Sequence, residues 1–294
     1  MQCRVVHAAP AELGISGETP EFHALAMPRN VRGEIYDLSI SSRRLSGDRF
    51  VRVYVPAAAL AEGAPLPVIL VNDGHKAFEP ARAAAIGSAP WEQRGTLQLH
   101  RIMDGLTCGG EIRPAMVVAV SVHAASRGNE FVPCRTRLDS TEFGGQGEEY
   151  LDLLEHDILP ALSTARPGVR VSTDPTERLL LGTSLGGFAA LYGALTRPAV
   201  FGGAIALSPS AWVDDGLLSR VVGERGGIPG TVAVDIGASE APHNRGYCDT
   251  LFGALRGAAV VGGGRVSAQI VPGHHNEDSW RGRLPDLLRF VLGR

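Results

Sequence analysis

Residues 179–191, LLLGTSLGGFAAL, decide the fold of this chain. The leading leucines predict a buried strand, the residues after Ser184 predict an alanine-rich helix, and Gly182 and Gly186 predict a sharp turn between the two. A serine in a Gly-x-Ser-x-Gly turn between a strand and a helix exposes its Oγ at the end of a sheet. We therefore interpret Ser184 as a candidate nucleophile. The alternative is a glycine-rich turn whose serine has no chemical role, because so short a pattern also occurs by chance.

Apolar runs elsewhere in the chain predict the rest of the sheet. Such runs are typical of strands that are buried on both faces of a parallel sheet. They occupy residues 67–71, 115–120, 178–181, 202–207, 231–236 and 266–271. Because helical segments lie between them, the sequence predicts an α/β fold with a mostly parallel central sheet and helices on both faces. Residues 34–40 and 49–56 instead alternate polar and apolar residues around a turn, which predicts a β-hairpin.

The domain organisation follows from length and pattern. A chain of 294 residues could form one or two domains, and we find no repeat and no linker that would separate two. We expect an irregular N-terminal arm over residues 1–33, which are rich in Pro, Gly and Ala. Residues 34–294 are expected to form a single α/β domain.

Charge and hydropathy limit the class of partner. The formal net charge is −3 at pH 7 and the pI is about 6.3, so neither nucleic acid nor an anionic membrane surface is an expected partner. The chain has no apolar run of membrane-spanning length, and its first twenty residues lack the apolar core of a signal peptide. We expect a cytoplasmic protein that acts on a small molecule.

A nucleophilic serine needs a base and an acid that orients the base. Two adjacent histidines, His274 and His275, follow the last apolar run, and hydrolases on this kind of sheet have the chain order Ser, acid, His. Glu240 lies in the loop after the run at 231–236, from which a side chain can reach the histidine, so we predict Glu240 as the acid. Asp235, inside the strand, remains the alternative.

A developing oxyanion needs backbone N–H donors. One donor is expected at Leu185, directly after the candidate nucleophile, and the other in the loop after an early strand. The run at 67–71 is followed by such a loop, in which we predict the N–H of His75 or that of Gly74. The alternative is that Asn-Asp-Gly simply forms a good turn.

No metal or organic cofactor is expected. The four cysteines form no C-x-x-C pair, and His123, His156 and His243 are scattered over different predicted elements. We interpret these histidines as surface or packed residues.

Three stretches of the chain resemble a known family. They are VILVNDGH at 68–75, GTSLGGFAALYGALTRPAVFGGAIALSPSAW at 182–212 and GHHNEDSWRGRLPDLLRFV at 273–291. Together they resemble the esterase family of α/β-hydrolases that includes the enterochelin esterases, S-formylglutathione hydrolase (esterase D) and the antigen 85 mycolyltransferases. The resemblance covers roughly residues 34–292, and the second stretch is the most specific.

The resemblance implies roles for particular residues. In enterochelin-esterase-like sequences the base stands five residues before a tryptophan, so Trp280 selects His275 over His274. GASEAPHN is similar to the family's Gly-x-x-Glu-Pro stretch and supports Glu240 as the acid. RGNEFVP, at 127–133, is similar to an Arg-x-x-Glu-x-x-Pro segment, which makes Arg127 a candidate substrate contact. A structural ion pair of Arg127 or of Glu130 is the alternative.

The sequence thus predicts a serine ester hydrolase that acts through an acyl-enzyme on a small-molecule, acyl or lactone ester. Two alternatives are an acyltransferase or lactone-forming enzyme with the same three residues, and a non-catalytic binding protein on a hydrolase fold. The family's enterochelin esterases carry a further N-terminal domain that thirty-odd irregular residues cannot form. Residues 76–110 and 124–147 lack clear periodicity, and we expect them to determine specificity.

Overall fold

A computed structural model of the protein describes residues 23–24, 33–45, 47–78, 96–166 and 168–293. These residues form eleven strands. The strands are β1 (His23–Ala24), β2 (Gly33–Ile40), β3 (Arg49–Pro56), β4 (Val68–Val71), β5 (Met116–Val120), β6 (Thr136–Leu138), β7 (Thr141–Phe143), β8 (Arg178–Thr183), β9 (Gly203–Leu207), β10 (Thr231–Gly237) and β11 (Arg265–Val271).

Nine of these strands form one sheet in the order β1-β2-β3-β5-β4-β8-β9-β10-β11. The pairs from β5 to β11 are parallel, whereas β1, β2 and β3 pair antiparallel. The predicted mostly parallel sheet and the predicted hairpin are thereby confirmed. β6 and β7 form a separate two-stranded hairpin.

The helices are mostly longer than one turn and lie between the strands. They are α1 (Ala57–Glu62), α2 (Leu99–Cys108), α3 (Arg127–Phe131), α4 (Gly147–Leu153), α5 (Leu159–Ala165), α6 (Leu185–Thr196), α7 (Leu217–Arg225), α8 (Pro242–Gly262) and α9 (Glu277–Leu292). A π-helical segment, Leu154–Ile158, joins α4 to α5, and Pro160 stands at the start of α5. Such a segment accommodates a proline, which has no N–H to donate. Among the described residues, no helix combines the length and the hydropathy needed to cross a membrane.

Helices cover both faces of the sheet, each over its own apolar core. One core contains Phe188 and Leu191 of α6 together with residues of α4, α5 and α8. The other contains Met103 of α2 and Leu284 and Leu288 of α9. Because α2 is part of this core layer, the expectation that the whole of residues 76–110 determines specificity is wrong for α2. Residues 79–95 lie outside the described residues.

β11 corrects a second expectation. Its apolar run predicted a strand buried on both faces, but most of its residues are at least partly exposed, and Ile270 is 48% exposed. β11 is the last strand in the sheet order and pairs with β10 on one side. Apolar residues alone do not distinguish an edge strand from a central one.

Most of the predicted N-terminal arm lies outside the described residues. Within it, His23 and Ala24 pair with Asp37 and Tyr36 and form the opposite edge of the sheet. This short stretch of the arm is therefore a strand, since backbone N–H and C=O groups on β2 are available to pair with it.

The order of the strands reverses direction at β4. From β4 the chain winds to β5 on one side, whereas β8, β9, β10 and β11 continue on the other side. Ligands of open α/β sheets bind outside the carboxyl ends of the strands where the winding direction reverses. The ends of β4 and β8 meet this condition, and Ser184 directly follows β8.

We expect Gly182→Ala to destabilise the fold. A Cβ at Gly182 would overlap the backbone carbonyl of Gly186, because α6 starts so close to β8. Overpacking against backbone should lower the free energy of unfolding by about 3 kcal/mol, measured by urea denaturation. Gly253→Ala is the control, since a Cβ there meets nothing within 4 Å and alanine favours the helix. Equal midpoints for Gly182→Ala and the wild type would contradict the tight turn.

Candidate active site

Ser184 occupies a strained turn between β8 and α6. Its backbone has φ 57° and ψ −125°, which is rarely adopted by a residue with a side chain. Three backbone hydrogen bonds hold it there. The N–H of Ser184 donates to Leu207 O at 3.1 Å, and Ser184 O accepts from the N–H groups of Phe188 at 3.0 Å and Ser210 at 3.1 Å. The turn places a half-buried serine directly after the end of β8.

His275 lies between Ser184 and Glu240. Its Nε2 is 3.1 Å from Ser184 Oγ, and its Nδ1 is 2.7 Å from Glu240 Oε2. The side chain of Glu240 is 2% exposed and that of His275 is 43% exposed. The neighbouring His274 instead uses its backbone N–H to donate to Ser279 Oγ. The structure thus brings together Ser184, His275 and Glu240.

Glu240 is stabilised as a carboxylate despite its burial. Burial alone would raise its pKa, but hydrogen bonds from His275, Ser208 and the Gly237 N–H outweigh that effect and lower the pKa. The Gly237 N–H lies 2.8 Å from Oε1, the oxygen that does not face His275. At neutral pH the site therefore contains a buried negative charge next to the imidazole.

Ser208, which the sequence analysis did not identify, links Glu240 to Trp280 and Arg283 by hydrogen bonds. Its hydroxyl donates to Glu240 Oε1 at 2.5 Å and accepts from Trp280 Nε1 and Arg283 Nη2, each at 2.9 Å. Ser208 directly follows the carboxyl end of β9, just as Ser184 and Glu240 follow the carboxyl ends of β8 and β10. That position at the end of an apolar run is the signal that could have identified it.

Asp235, the alternative acid, forms an ion pair with Arg283. Its Oδ1 is 3.5 Å from Arg283 Nη1, and both side chains are largely buried. Burial raises the pKa of Asp235 to about 6, the charge of Arg283 opposes this shift, and the charge of Glu240 adds to it. Asp235 and Glu240 therefore share Arg283, whose Nη2 is 3.8 Å from Glu240 Oε1.

The loop after β4 lies against the start of α6. Asn72 Nδ2 donates to Gly186 O at 2.7 Å. Gly74 begins a 3₁₀ turn, Gly74–Lys76, and a Cβ on Gly74 would lie 2.5 Å from the backbone of Ala119. Only glycine allows the turn to approach β5 so closely. As the first residue of α6, Leu185 has an N–H with no acceptor inside the helix. The donor roles of Leu185, Gly74 and His75 stay predictions.

Arg127 is engaged in an ion pair close to this loop. Its Nε and Nη2 donate to the two carboxylate oxygens of Asp73, both at 2.6 Å. Glu130 forms a second, fully buried ion pair with Arg49 at 2.8 Å. The structure therefore contains the ion pairs that were the alternative for both residues. About a quarter of the Arg127 side chain is exposed, and its role as a substrate contact stays a prediction.

Comparison with known proteins places the chain in a family. A family model described as "Putative esterase" matches residues 42–291. The chain belongs to this family. The predicted family resemblance is confirmed, and the match extends from the connection between β2 and β3 to the last turn of α9.

Relatives within the esterase family include siderophore esterases. The iron(III) salmochelin esterase of Escherichia coli O6:H1 is 26% identical over 274 residues, which are 87% of this chain and 58% of that protein. The solved structure of ferric enterobactin esterase from Salmonella typhimurium has a TM-score of 0.69 at 17% identity, with 96% of this chain and 63% of that one covered. The siderophore hydrolase EstB from Aspergillus nidulans has a TM-score of 0.66 at 17% identity, with 88% and 95% covered. These structures show the shared α/β-hydrolase fold. The chain spans 45% to 62% of the length of four curated relatives that it matches.

Among the described residues, one cluster of acidic and histidine side chains has ligand atoms close enough together to hold a metal ion. Asp152, Glu155 and His156 each offer an atom within 4.8 Å of the others. The guanidinium of Arg197 lies 2.6 Å from Asp152 and 3.0 Å from Glu155. A cationic side chain therefore already neutralises these acids, away from Ser184.

We expect the stability of an Asp235→Asn variant to depend less on pH than that of the wild type. In the folded wild type the pKa of Asp235 is raised to about 6 by burial, whereas the ordinary pKa of a free aspartate is 3.8. Between these values the folded state binds more protons than the unfolded state, so the wild type loses stability as the pH rises. Between pH 4 and pH 7, the free energy of unfolding of the asparagine variant relative to that of the wild type should therefore rise by up to about 3 kcal/mol.

Urea denaturation at pH 4, 5, 6 and 7 measures this difference. Asp249→Asn, at an exposed position of α8, measures the effect of the same substitution at the surface. A constant difference between Asp235→Asn and the wild type across this range would contradict the raised pKa.

Proposed function

We propose that the protein is a serine ester hydrolase in which Ser184 is the nucleophile, His275 the general base and acid, and Glu240 the acid that orients His275. The observation that supports this function best is the pair of contacts through one imidazole, 3.1 Å to Ser184 Oγ and 2.7 Å to Glu240 Oε2. A serine hydroxyl becomes a competent nucleophile when an oriented base can take its proton.

The proposed reaction has two halves. In the first, His275 Nε2 takes the proton of Ser184 Oγ while Oγ bonds to the ester carbonyl carbon, and the carbonyl oxygen becomes an oxyanion. The intermediate then collapses: the bond to the leaving alkoxide breaks, and His275 returns the proton to that alcohol. In the second half, water replaces the alcohol, and the same proton transfers release the acid and restore Ser184.

Backbone N–H groups of Leu185 and of the Gly74–His75 turn are the proposed oxyanion donors. Donors at a helix start and in a tight turn are held in place before the reaction, so they need no reorganisation as charge develops. Glu240 stabilises the imidazolium that forms during each half of the reaction. Its own charge is held by Ser208 and by the Gly237 N–H, so it can act without being exposed to water.

The proposed substrate is a small-molecule ester, and siderophore esters are the first class to test. The relatives named as salmochelin, enterobactin and siderophore esterases or hydrolases support this choice.

We expect a fluorophosphonate to label the wild type once, at Ser184. Phosphonylation forms a bond from Ser184 Oγ to phosphorus and expels fluoride, and it requires an activated serine. Intact mass spectrometry should show a single adduct that is absent from Ser184→Ala. Labelling of His275→Ala should be slower by at least about 10²-fold, because the base is missing.

His274→Ala is the matched control, since it removes the neighbouring histidine and keeps the base. Absence of an adduct on the wild type would contradict the proposed function and favour a binding protein on this fold. If the adduct forms, product analysis of a p-nitrophenyl ester with and without an added alcohol separates hydrolysis from acyl transfer.

We expect Glu240→Gln and Asp235→Asn to differ strongly in activity. Glutamine cannot stabilise the imidazolium and favours the wrong tautomer of His275, so kcat should fall by about 10³- to 10⁴-fold. Asparagine at 235 leaves the contact between His275 and Glu240 in place, so kcat should fall by less than about 10-fold. Steady-state kinetics with p-nitrophenyl butyrate measures both. The opposite ranking would assign the role of the acid to Asp235.

A further inference from the structure

Lys76 is the only lysine of the chain, and it stands at a sensitive position. It ends the 3₁₀ turn Gly74–Lys76, which contains the proposed oxyanion donors of the early loop. Its own backbone closes that turn, since the Lys76 N–H donates to Asp73 O at 2.8 Å. Contacts made by the side chain of Lys76 therefore constrain the position of the turn.

The ammonium of Lys76 reaches the loop that contains His275. Lys76 Nζ is 3.1 Å from Glu277 Oε1, and the two side chains are 27% and 26% exposed. Glu277 is the first residue of α9 and follows His275 by two residues. A carboxylate in the first turn of a helix is favoured by the helix dipole, so Glu277 is a well-held anchor for the ammonium.

Lys76 also lies near the ring of Trp280, which packs against His275. Its Nζ lies 5.8 Å from the centroid of the Trp280 ring, within the range of a cation–π interaction. The Trp280 ring packs edge-on against the imidazole of His275, with centroids 4.9 Å apart. Lys76 therefore contacts two residues that lie next to His275. Glu277 is two residues away in the chain, and Trp280 packs against the ring of His275.

The sheet itself does not hold these two loops together. β4 precedes the turn and β11 precedes the histidine loop, and three strands separate them in the sheet. With strands about 4.8 Å apart, their ends are roughly 19 Å apart. A side chain that bridges the loops therefore supplies a direct connection that strand pairing does not.

We propose that Lys76 is a positioning residue: its ammonium ties the turn that bears the oxyanion donors to the loop that bears His275, and so sets the relative position of the two. The inference rests on the proposed esterase function. Oxyanion donors act over 2.7–3.1 Å, and a displacement of about 1 Å in an active site can cost 10²-fold in rate. A tether between the two loops therefore affects the rate more than the stability.

The kinetic test compares Lys76→Met, Lys76→Arg, Glu277→Gln and the double variant Lys76→Met/Glu277→Gln with a p-nitrophenyl ester. We expect each neutral single variant to lower kcat by about 10-fold with KM changed by less than about 2-fold. Lys76→Arg keeps the charge and the cation–π contact and should retain at least about a third of the wild-type kcat. The double variant should be no worse than either single variant, because both remove the same contact.

Glu111→Gln is the matched control. It removes an ion pair of 2.7 Å between Glu111 and Arg289 at the far end of the same helix, α9. Its kcat should equal that of the wild type, and its melting temperature should change as little as that of Lys76→Met. Wild-type kcat in Lys76→Met, or an equal loss of kcat in Glu111→Gln, would overturn the positioning role.

Chemical modification gives a second test on the wild-type chain. N-hydroxysulfosuccinimidyl acetate forms an amide with an amine and removes its charge, and Lys76 is the only side-chain amine. Acetylation of Lys76, verified by peptide mass mapping, should lower kcat as Lys76→Met does. Lys76→Met treated in the same way retains only the terminal amine and should lose no further activity. Full activity after complete acetylation would overturn the proposal.

Hydrogen–deuterium exchange separates failure of this inference from failure of the esterase function. In Lys76→Met, peptides that cover residues 73–77 and residues 272–277 should both exchange faster, and in Glu111→Gln neither should. This readout needs no catalysis. Faster exchange in both loops of an enzyme that no fluorophosphonate labels would support the tether and refute the esterase. Unchanged exchange at residues 272–277 in a labelled enzyme would refute the tether alone.

Discussion

The close approach of α6 to β8 is the constraint on which the site depends. At Gly182 the helix start and the strand end leave no room for a Cβ, so the chain must turn within a few residues. That turn forces Ser184 into a backbone conformation with positive φ and directs its side chain out of the sheet. Because β8 lies beside β4 where the winding reverses, the loops after both strands meet at this serine.

Charge burial is the second organising feature of the site. Glu240 and Asp235 are both buried. Burying a charged carboxylate costs free energy unless the carboxylate has an ion-pair or hydrogen-bond partner. Glu240 accepts hydrogen bonds from His275, Ser208 and a backbone N–H, whereas Asp235 forms an ion pair with Arg283 at 3.5 Å. The difference in surroundings explains why the pKa of Glu240 is lowered while burial raises that of Asp235.

Local sequence signals predicted much of the fold and part of the site. The β2–β3 hairpin and the central strands were predicted because alternation and apolar runs report which faces are buried. β11 was predicted as a buried strand although it is an edge strand, since an apolar run does not encode its neighbours. α2 was assigned to a specificity region, yet Met103 packs in the core with α9. Ser208 and Arg283 were not singled out, because their roles exist only through contacts with distant segments.

The sequence by itself determined the strand–turn–helix at Ser184, the chain order of Ser184, Glu240 and His275, and membership of the esterase family. The first of these is local in the chain, because it depends on turn chemistry and hydrophobic period. The other two follow from motifs and their order along the chain, which need no tertiary structure. Only the tertiary structure decided that Glu240 rather than Asp235 faces His275, that Arg127 is paired with Asp73, and that Lys76 reaches Glu277. Each of these contacts joins segments on different strands, so it depends on strand order and on which way a side chain leaves its strand, and no local pattern specifies either.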